Sequence, residues 1–303
     1  MKKIALIFGI TGQDGILLSR YLIKKKYKVY GYIRNIKKKK YLDEKVKLLY
    51  KKKLTKEFFF SIVKKTKPTE IYFLIGQSNS YVSFKKPAET FETNFLYFCH
   101  IVEACLRNKL NPRIFYASSG EVFGSSNKIL NENSEKKPQN PYALSKYLSM
   151  IYIKYMREFF NLKISTGILF NHDSEYRNEN NFSKKIINYL NKSNFKKKLN
   201  LGNIDLLRDF GLSKEYIVAI YKINQRNKGD DYIIATGKSL KLRQIIDYSF
   251  SLKKLNYKKY TKINKKKFLK NEIKFKGVNI SKIKKLNWKP SYNILDFIKQ
   301  SIK

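Results

Sequence analysis

The stretch Asn140-Pro-Tyr-Ala-Leu-Ser-Lys146 sets a phenol and an amine four residues apart. In a helix that spacing puts Tyr142 and Lys146 on one face, about one turn apart. An ammonium beside a phenol favours the phenolate, so Lys146 is expected to lower the Tyr142 pKa toward neutrality. A phenol poised in this way takes a proton from a substrate hydroxyl or returns it. With 23 Tyr and 65 Lys and Arg in the chain, such a pair also arises by accident. Its surroundings must therefore decide whether it is used.

The N-terminus supplies the first of these surroundings. Ile4-Ala-Leu-Ile-Phe8 is a short apolar run of the kind that forms a buried parallel strand. It leads into Gly9-Ile-Thr-Gly12-Gln-Asp-Gly15, after which Ile16, Leu17, Leu18, Tyr21 and Leu22 recur at helical spacing. Strand, glycine turn and helix form the context of a dinucleotide fingerprint. Gly9 allows the tight turn, Gly12 the close approach of a pyrophosphate, and Gly15 the packing of helix on strand. The helix N-terminus adds N–H groups and positive dipole for the phosphates. The spacing is GxxGxxG rather than GxGxxG.

Further strands are expected at 28–33, 46–50, 70–74, 113–117 and 163–170, with helices at 54–65, 87–108 and 141–160. Strands alternating with helices predict a doubly wound α/β, Rossmann-like parallel sheet. Residues 1–170 are expected to form the cofactor domain. Residues 171–303 are expected to form a smaller, mainly substrate-binding lobe, interleaved with segments that return to the first domain. Arg34 closes the second strand, with no acid nearer than Asp43. An acid there suits the ribose of NAD and an Arg the 2′-phosphate of NADP, so NADP is favoured. The fifth strand ends in Ser118-Ser-Gly-Glu-Val-Phe-Gly124. In an open parallel sheet the ligand crevice lies at such strand ends. A hydroxyl there can hold a substrate oxygen beside Tyr142, and a carboxylate can remove a proton next to a carbonyl.

Together these motifs resemble the extended short-chain dehydrogenase/reductases, and Thr11-Gly-Gln-Asp-Gly15 is similar to the GDP-mannose 4,6-dehydratases within that family. The family pattern S-T/S-x-E-x-Y/F-G is matched by Ser118, Ser119, Glu121, Phe123 and Gly124. The resemblance implies Ser119, Glu121, Tyr142 and Lys146 as catalytic residues. Leu74–Phe84 is similar to L-A-A-Q-S-H-V-x-V-S-F, with Asn79 for the His, which implies Ser78 beside the substrate. Gly167-Ile-Leu-Phe-Asn-His-Asp-Ser174 closely matches G-I-L-F-N-H-E-S. That match implies substrate contact for Asn171 and a cofactor-site role for His172. Arg177 remains from P-R-R-G-E, and Lys185 falls where the family keeps a Lys. Leu201–Gly211 is similar to L-G-N-x-D-x-x-R-D-W-G, which implies Arg208 on the substrate diphosphate; Arg suits such a bidentate task. NADP would then be held by Gly9, Thr11, Gly12, Gln13, Asp14, Gly15, Arg34, Tyr142, Lys146, His172 and Arg177. The implied reaction is that of a hydro-lyase acting on GDP-mannose: oxidation at C4, loss of water across C5–C6, and return of hydride to C6. A dimer or tetramer is implied as well.

Two departures stand out. Lys51, Lys52 and Lys53 occupy the place of a Gly-Asp-Leu whose Asp contacts adenine. Leu269 replaces an Arg that holds the diphosphate, with Lys270 beside it.

The chain has 303 residues, 43% of them hydrophobic, enough for a sizeable core. No apolar run approaches the length of a membrane span, and Met1-Lys-Lys leads into a strand rather than a cleavable signal, so a cytoplasmic protein is expected. Cys99 and Cys105, six apart in one expected helix, make neither a metal pair nor a redox motif, and no metal is expected. The net charge of +42 is spread along the chain. It would attract phosphorylated substrates. Without zinc-finger or RNP-type motifs, it does not indicate specific nucleic-acid binding. Three other readings stay open at this point: a related reductase, epimerase or decarboxylase, a cofactor binder without catalysis, and more remotely a nucleic-acid binder.

Overall fold

The computed structural model describes residues 3–192, 195–264 and 272–303. Leu269 and Lys270 lie outside them. The strands are β1 (Ile4–Phe8), β2 (Lys28–Ile33), β3 (Lys47–Tyr50), β4 (Glu70–Phe73), β5 (Arg113–Ser119), β6 (Ser126–Leu130) and β7 (Ile164–Leu169), then β8 (Asn171–Asp173), β9 (Leu199–Leu201), β10 (Leu207–Leu212), β11 (Asp231–Ile234), β12 (Ser239–Lys241), β13 (Thr261–Ile263) and β14 (Phe275–Val278). The longer helices are α1 (Gln13–Lys24) and α2 (Lys56–Thr66). Next come the short α3 (Ser80–Lys85) and α4 (Pro87–Phe91), then α5 (Tyr97–Arg107), α6 (Pro141–Phe160), α7 (Phe182–Leu190), α8 (Ser213–Asn224) and α9 (Leu242–Ser251).

Seven strands form a parallel sheet in the order β11-β7-β5-β4-β1-β2-β3. This is a doubly wound, Rossmann-like sheet. Alternation along each strand feeds two separate cores. Ala5 and Ile7 of β1, Tyr72 of β4 and Phe115 of β5 pack with Leu18 and Leu22 of α1 and with Ile217, Ile220 and Ile223 of α8. Leu6 and Phe8, Ile71 and Phe73, and Ile114 and Tyr116 pack on the other face. Their partners are Phe59, Ile62 and Val63 of α2, with Phe98, Ile101 and Cys105 of α5. Removing a fully buried ring such as Phe8 would cost roughly 3–5 kcal/mol. The chain order reverses direction between β1 and β4, so their C-terminal ends open a crevice there.

Residues beyond 170 build the small sheets β12-β10-β8 and β13-β9, and β14 pairs with β6 of the first part of the chain in a third. The segment holding α8 and β11 returns to the large sheet. One element differs from the expected long helix at 87–108. It is interrupted by a π-helical turn at Glu92–Leu96, which interrupts the regular backbone ladder around Asn94. No helix among the described residues is long and apolar enough to cross a membrane.

At the edge opposite the crevice, the wholly buried Glu70 ties four segments together. Its carboxylate accepts from the Tyr27 hydroxyl at 2.8 Å, the Tyr72 hydroxyl at 2.6 Å, Arg113 at 3.0 Å and the Gln225 amide at 3.1 Å. Burial pushes the Tyr72 phenol well above its ordinary value, and the Glu70 charge adds to that. Removing the carboxylate leaves these donors without their acceptor. Glu70→Ala should therefore lower unfolding stability by about 3–5 kcal/mol in urea titrations. A loss under about 1 kcal/mol would show that the network is dispensable.

Candidate active site

Helix α6 begins with a built cap. Asn140 accepts from the Ala143 N–H at 2.8 Å, and Pro141 fills the first helical position, where a missing N–H costs nothing. Tyr142, Ser145, Lys146 and Ser149 then face inward and are buried. Lys146 Nζ donates to the Ala117 carbonyl at 2.8 Å and lies 4.9 Å from the centre of the Tyr116 ring. Burial pushes its ammonium down to about 7.

Asn94, at the π-helical turn, locks this helix to the loop after β4. Its side chain accepts from Gln77 N–H at 2.8 Å and donates to the Gln77 carbonyl at 3.1 Å and to Ser145 Oγ at 2.9 Å. Gly76 makes this possible, because a Cβ there would meet Asn94 Oδ1 at 2.7 Å.

Ser119, the last residue of β5, accepts from the Glu121 N–H at 3.2 Å and so starts a 3-10 turn over Gly120–Phe123. The Glu121 carboxylate is held from two other segments. Ser80 Oγ shares its proton between Oε1 at 2.9 Å and Oε2 at 2.8 Å, and Asn140 Nδ2 donates to Oε2 at 2.9 Å. The expected lowering of the Tyr142 pKa is not what the geometry gives. Burial pushes this phenol above its ordinary value, and the Glu121 charge pushes it further. A hydrogen bond with Ser119 and the charge of Arg177 pull weakly the other way. The Lys146 ammonium points at Ala117 and at the face of Tyr116 instead.

Across the crevice the glycine turn is packed without slack. Gly9 adopts φ +90°, and a Cβ on it would meet the Leu74 backbone at 2.7 Å. A Cβ on Gly15 would lie 2.3 Å from the Gly9 carbonyl. No side chain caps α1 at Gly12, so its first-turn N–H groups face the cleft, where a phosphate would satisfy them. Asp14 Oδ2 lies 2.9 Å from His172 Nε2, while His172 Nδ1 reaches the Phe170 carbonyl at 2.7 Å. The imidazole stacks on Tyr216 at 4.6 Å. Gln13 donates to the His172 carbonyl at 3.0 Å, and Arg177 pairs with Asp173 at 3.1 Å. Arg20 fastens the outer rim. It donates to the Tyr176 hydroxyl at 2.5 Å and to the Tyr41 carbonyl at 2.8 Å, and so ties the basic 3-10 turn Ile36–Tyr41 to the loop after β8.

These groups surround one cleft of about 430 Å³. Gly9, Gly12, Gln13, Asp14, Gly15, Ser78, Ser119, Glu121, Tyr142, Lys146, Asn171, His172, Arg177 and Arg208 all line it. Thr11, Arg34 and Lys185 do not. Arg34 is exposed just past the end of β2, and Lys185 lies on α7. Lys51, Lys52 and Lys53 are exposed after β3. Arg208 donates to the Leu207 carbonyl at 2.7 Å and the Ile273 carbonyl at 2.9 Å, with Phe275 beneath it at 6.0 Å. Glu272 lines the same wall and accepts from Asn203 at 2.6 Å. Motif reading assigned no role to Ser80, Asn140 or Glu272. The one available signal was at Ser80, a hydroxyl standing where the resembled motif has Val. Among the described residues no cluster of His, Cys, Asp and Glu could hold a metal ion.

A family model described as GDP-mannose 4,6 dehydratase matches residues 6–301. The GDP-mannose 4,6 dehydratase 1 of Arabidopsis thaliana is 32% identical, over 99% of this chain and 89% of its own. That of Drosophila melanogaster is also 32% identical, over 99% of this chain and 85% of its own. The Vibrio cholerae GDP-mannose 4,6-dehydratase is 33% identical over 82% and 72%. Among solved structures, a dTDP-glucose 4,6-dehydratase of Streptomyces venezuelae with NAD and TYD bound superposes with a TM-score of 0.87. It is 16% identical and covers 98% of this chain and 95% of that one. A UDP-glucose 4-epimerase of Thermotoga maritima with UDP-glucose gives 0.86 at 16% identity over 98% and 97%. At such identities these two speak to the fold alone.

The Asp14–His172 pair has a pH signature. Burial would push the imidazole down, but the charge and hydrogen bond of Asp14 outweigh it and hold it above its ordinary 6.5. Burial would push Asp14 up, but His172 and then Arg177 hold it below its ordinary 3.8. The imidazolium therefore contributes stability fully below 6.5, and this is lost as pH rises through the raised value. The Asp14 contribution is present above 3.8 and is lost as pH falls through the lowered value. Urea titrations of the parent and His172→Gln should differ most between these two limits and converge as pH rises. A difference independent of pH would show that the pair carries no charge.

Proposed function

This chain belongs to the GDP-mannose 4,6-dehydratase family, and we propose that its cleft performs the family's conversion with Tyr142, Lys146, Ser119 and Glu121 as the reacting and supporting groups. The protein is a hydro-lyase: GDP-mannose enters and GDP-4-keto-6-deoxymannose leaves. The observation that carries the residue roles is the convergence of a phenol, a hydroxyl and a carboxylate from α6, β5 and the turn after it on one cleft wall, opposite a glycine turn that would cradle a pyrophosphate.

Tyr142 takes the proton of the C4 hydroxyl, whose oxygen Ser119 steadies by hydrogen bonding. When bound, a nicotinamide cofactor would supply positive charge in the cleft and a reversible store for the hydride exchanged between C4 and C6, so that none would be consumed. The resting Tyr142 phenol is protonated, so its use as a base depends on positive charge gathered near it, to which Arg177 contributes, and on the hydrogen bond with Ser119. The C4 carbonyl acidifies C5–H. Glu121 removes that proton, the C5–H electron pair forms the C5–C6 double bond, and the C6 hydroxyl departs as water with the proton carried by Glu121. The proton that C5 regains when C6 is reduced is balanced by the one Tyr142 took from the C4 hydroxyl. Arg208, steadied by two carbonyls and the Phe275 face, is assigned to the substrate diphosphate, with Ser78 and Asn171 on the sugar side.

The cofactor assigned is NADP, held by Gly9, Gly12, Gln13, Gly15, His172 and Arg177. Arg34, exposed just past β2 and outside the cleft wall, is assigned to the ribose 2′-phosphate. Residues 171–303 are assigned mainly as the substrate lobe, interleaved with the α8 and β11 segment that returns to the large sheet. A cytoplasmic location is supported by the two unpaired cysteines, whose thiols burial pushes up to about 12. A homo-oligomer is supported by an apolar stripe on the outer face of α6. There Leu144, Ile151, Tyr155 and Phe159 are exposed at helical spacing, Phe159 to 73%.

Mass spectrometry of a mixture of purified protein, GDP-mannose and NADP⁺ tests the reaction. The expected product has lost one water, and Glu121→Gln should abolish it while the protein stays folded and binds NADPH. An unchanged substrate mass with a folded, NADPH-binding parent would overturn the substrate assignment. Sedimentation velocity tests the stripe. The parent should run as a dimer or larger, and Tyr155→Lys with Phe159→Lys should shift it to a monomer. A monomeric parent refutes the oligomer.

A further inference from the structure

Among the described residues, Glu121 alone of the proposed reacting groups has its side chain held by hydrogen bonds from two segments remote from its own. Ser80 opens α3, 41 residues earlier, and Asn140 caps α6, 19 residues later. Both donors are themselves fixed. Asn79 caps α3 by accepting from the Val82 N–H at 3.1 Å, and Ser83 Oγ donates to the Ser80 carbonyl at 2.6 Å. Asn140 accepts from the Ala143 N–H with its side-chain oxygen, which turns its amino group toward the carboxylate. A carboxylate offers about four lone-pair positions. Ser80 and Asn140 occupy positions on both oxygens and leave the rest to the cleft.

We propose that Ser80 and Asn140 are positioning residues for the proton-abstracting carboxylate of Glu121, and that they fix its distance and angle to Tyr142. The proposal rests on the reading of Glu121 as the base at C5. A Glu side chain has three rotatable bonds, and aiming it at a C–H requires that most of its rotamers be excluded. Ser80 excludes them by bridging both oxygens. Asn140 does so from two residues before Tyr142, across the stiff Pro141 link. One short peptide thus carries the group that deprotonates C4–OH and the donor that aims the group deprotonating C5–H. The hydroxyl of Ser80 replaces the Val of the resembled motif, so this contact is a device of this chain's own sequence.

The test uses Ser80→Ala, Ser80→Thr and Asn140→Ser. Serine at position 140 keeps a good helix cap but lacks the amino group. With GDP-mannose and its C5-deuterated form, Ser80→Ala and Asn140→Ser should lower kcat about tenfold or more through misplacement of the base. KM should stay within about twofold of the parent, because binding is not what these donors serve. The deuterium isotope effect on kcat should rise as C5–H cleavage becomes limiting, and Ser80→Thr should restore both values. Loss of folded protein alone would lower kcat and leave the isotope effect where it was. A crystal structure of Ser80→Ala supplies a readout that needs no turnover, the displacement of the Glu121 carboxylate. A parental kcat and isotope effect in Ser80→Ala, or an unmoved carboxylate, overturns the proposal. A moved carboxylate in a protein whose parent never dehydrates GDP-mannose leaves the positioning intact and sinks the assignment of the base.

Discussion

A parallel sheet with water excluded from both faces requires a crossover after nearly every strand, and those crossovers deliver every strand with the same polarity. In this chain the two cores on either side of the sheet are the expression of that requirement. Because all seven strands point the same way, β1, β4, β5 and β7 release their loops at one edge. The glycine turn, the Gly76–Ser80 loop, the Ser119–Glu121 turn and the Asn171–His172 strand arrive at one place for that reason. Close packing then does the fine placement. Gly9 against Leu74, Gly15 against Gly9 and Gly76 against Asn94 leave no room for a single Cβ.

Much of this was legible in residue order. The buried strands read as short apolar runs, the amphipathic helices as 3.6-residue periods, and the site as motifs whose residues mostly share the cleft. What escaped has physical reasons. The direction of the Tyr142 pKa depends on burial and on which way Lys146 points, and four-residue spacing fixes neither. Ser80 and Asn140 meet Glu121 through tertiary approach, which no local spacing encodes. The π-helical turn at Asn94 has no distinguishing compositional mark, because the weak helix propensity of Thr93, Asn94 and Phe95 does not separate a widened turn from a regular one. Thr11, Arg34 and Lys185 carry motif positions whose side chains lie off the cleft wall. Leu269 falls outside the described residues.

The net charge of +42 lies mostly outside the site. Within the cleft the cations are few, and each has a specific place. Lys146 is directed at a carbonyl and a ring face, Arg177 at Asp173, and Arg208 at two carbonyls. Several exposed lysines cover neighbouring tyrosine rings instead, Lys25, Lys40 and Lys85 among them, each within about 6 Å of a ring centre. A chain so rich in both residue types therefore shields part of its aromatic surface with its own charge.

The Arg20 fastening has a thermodynamic consequence. By holding the carbonyl of Tyr41 and the hydroxyl of Tyr176, it settles the arrangement of two rim loops when the chain folds. Residues ordered at that stage lose no further conformational freedom when an anion arrives. For the 2′-phosphate proposed beside this rim, association would then depend mainly on desolvating charges, with an entropy set by released water and counterions rather than by a loop closing. Discrimination between ligands with and without an extra phosphate would accordingly weaken with rising salt, while the shape of the rim stays constant.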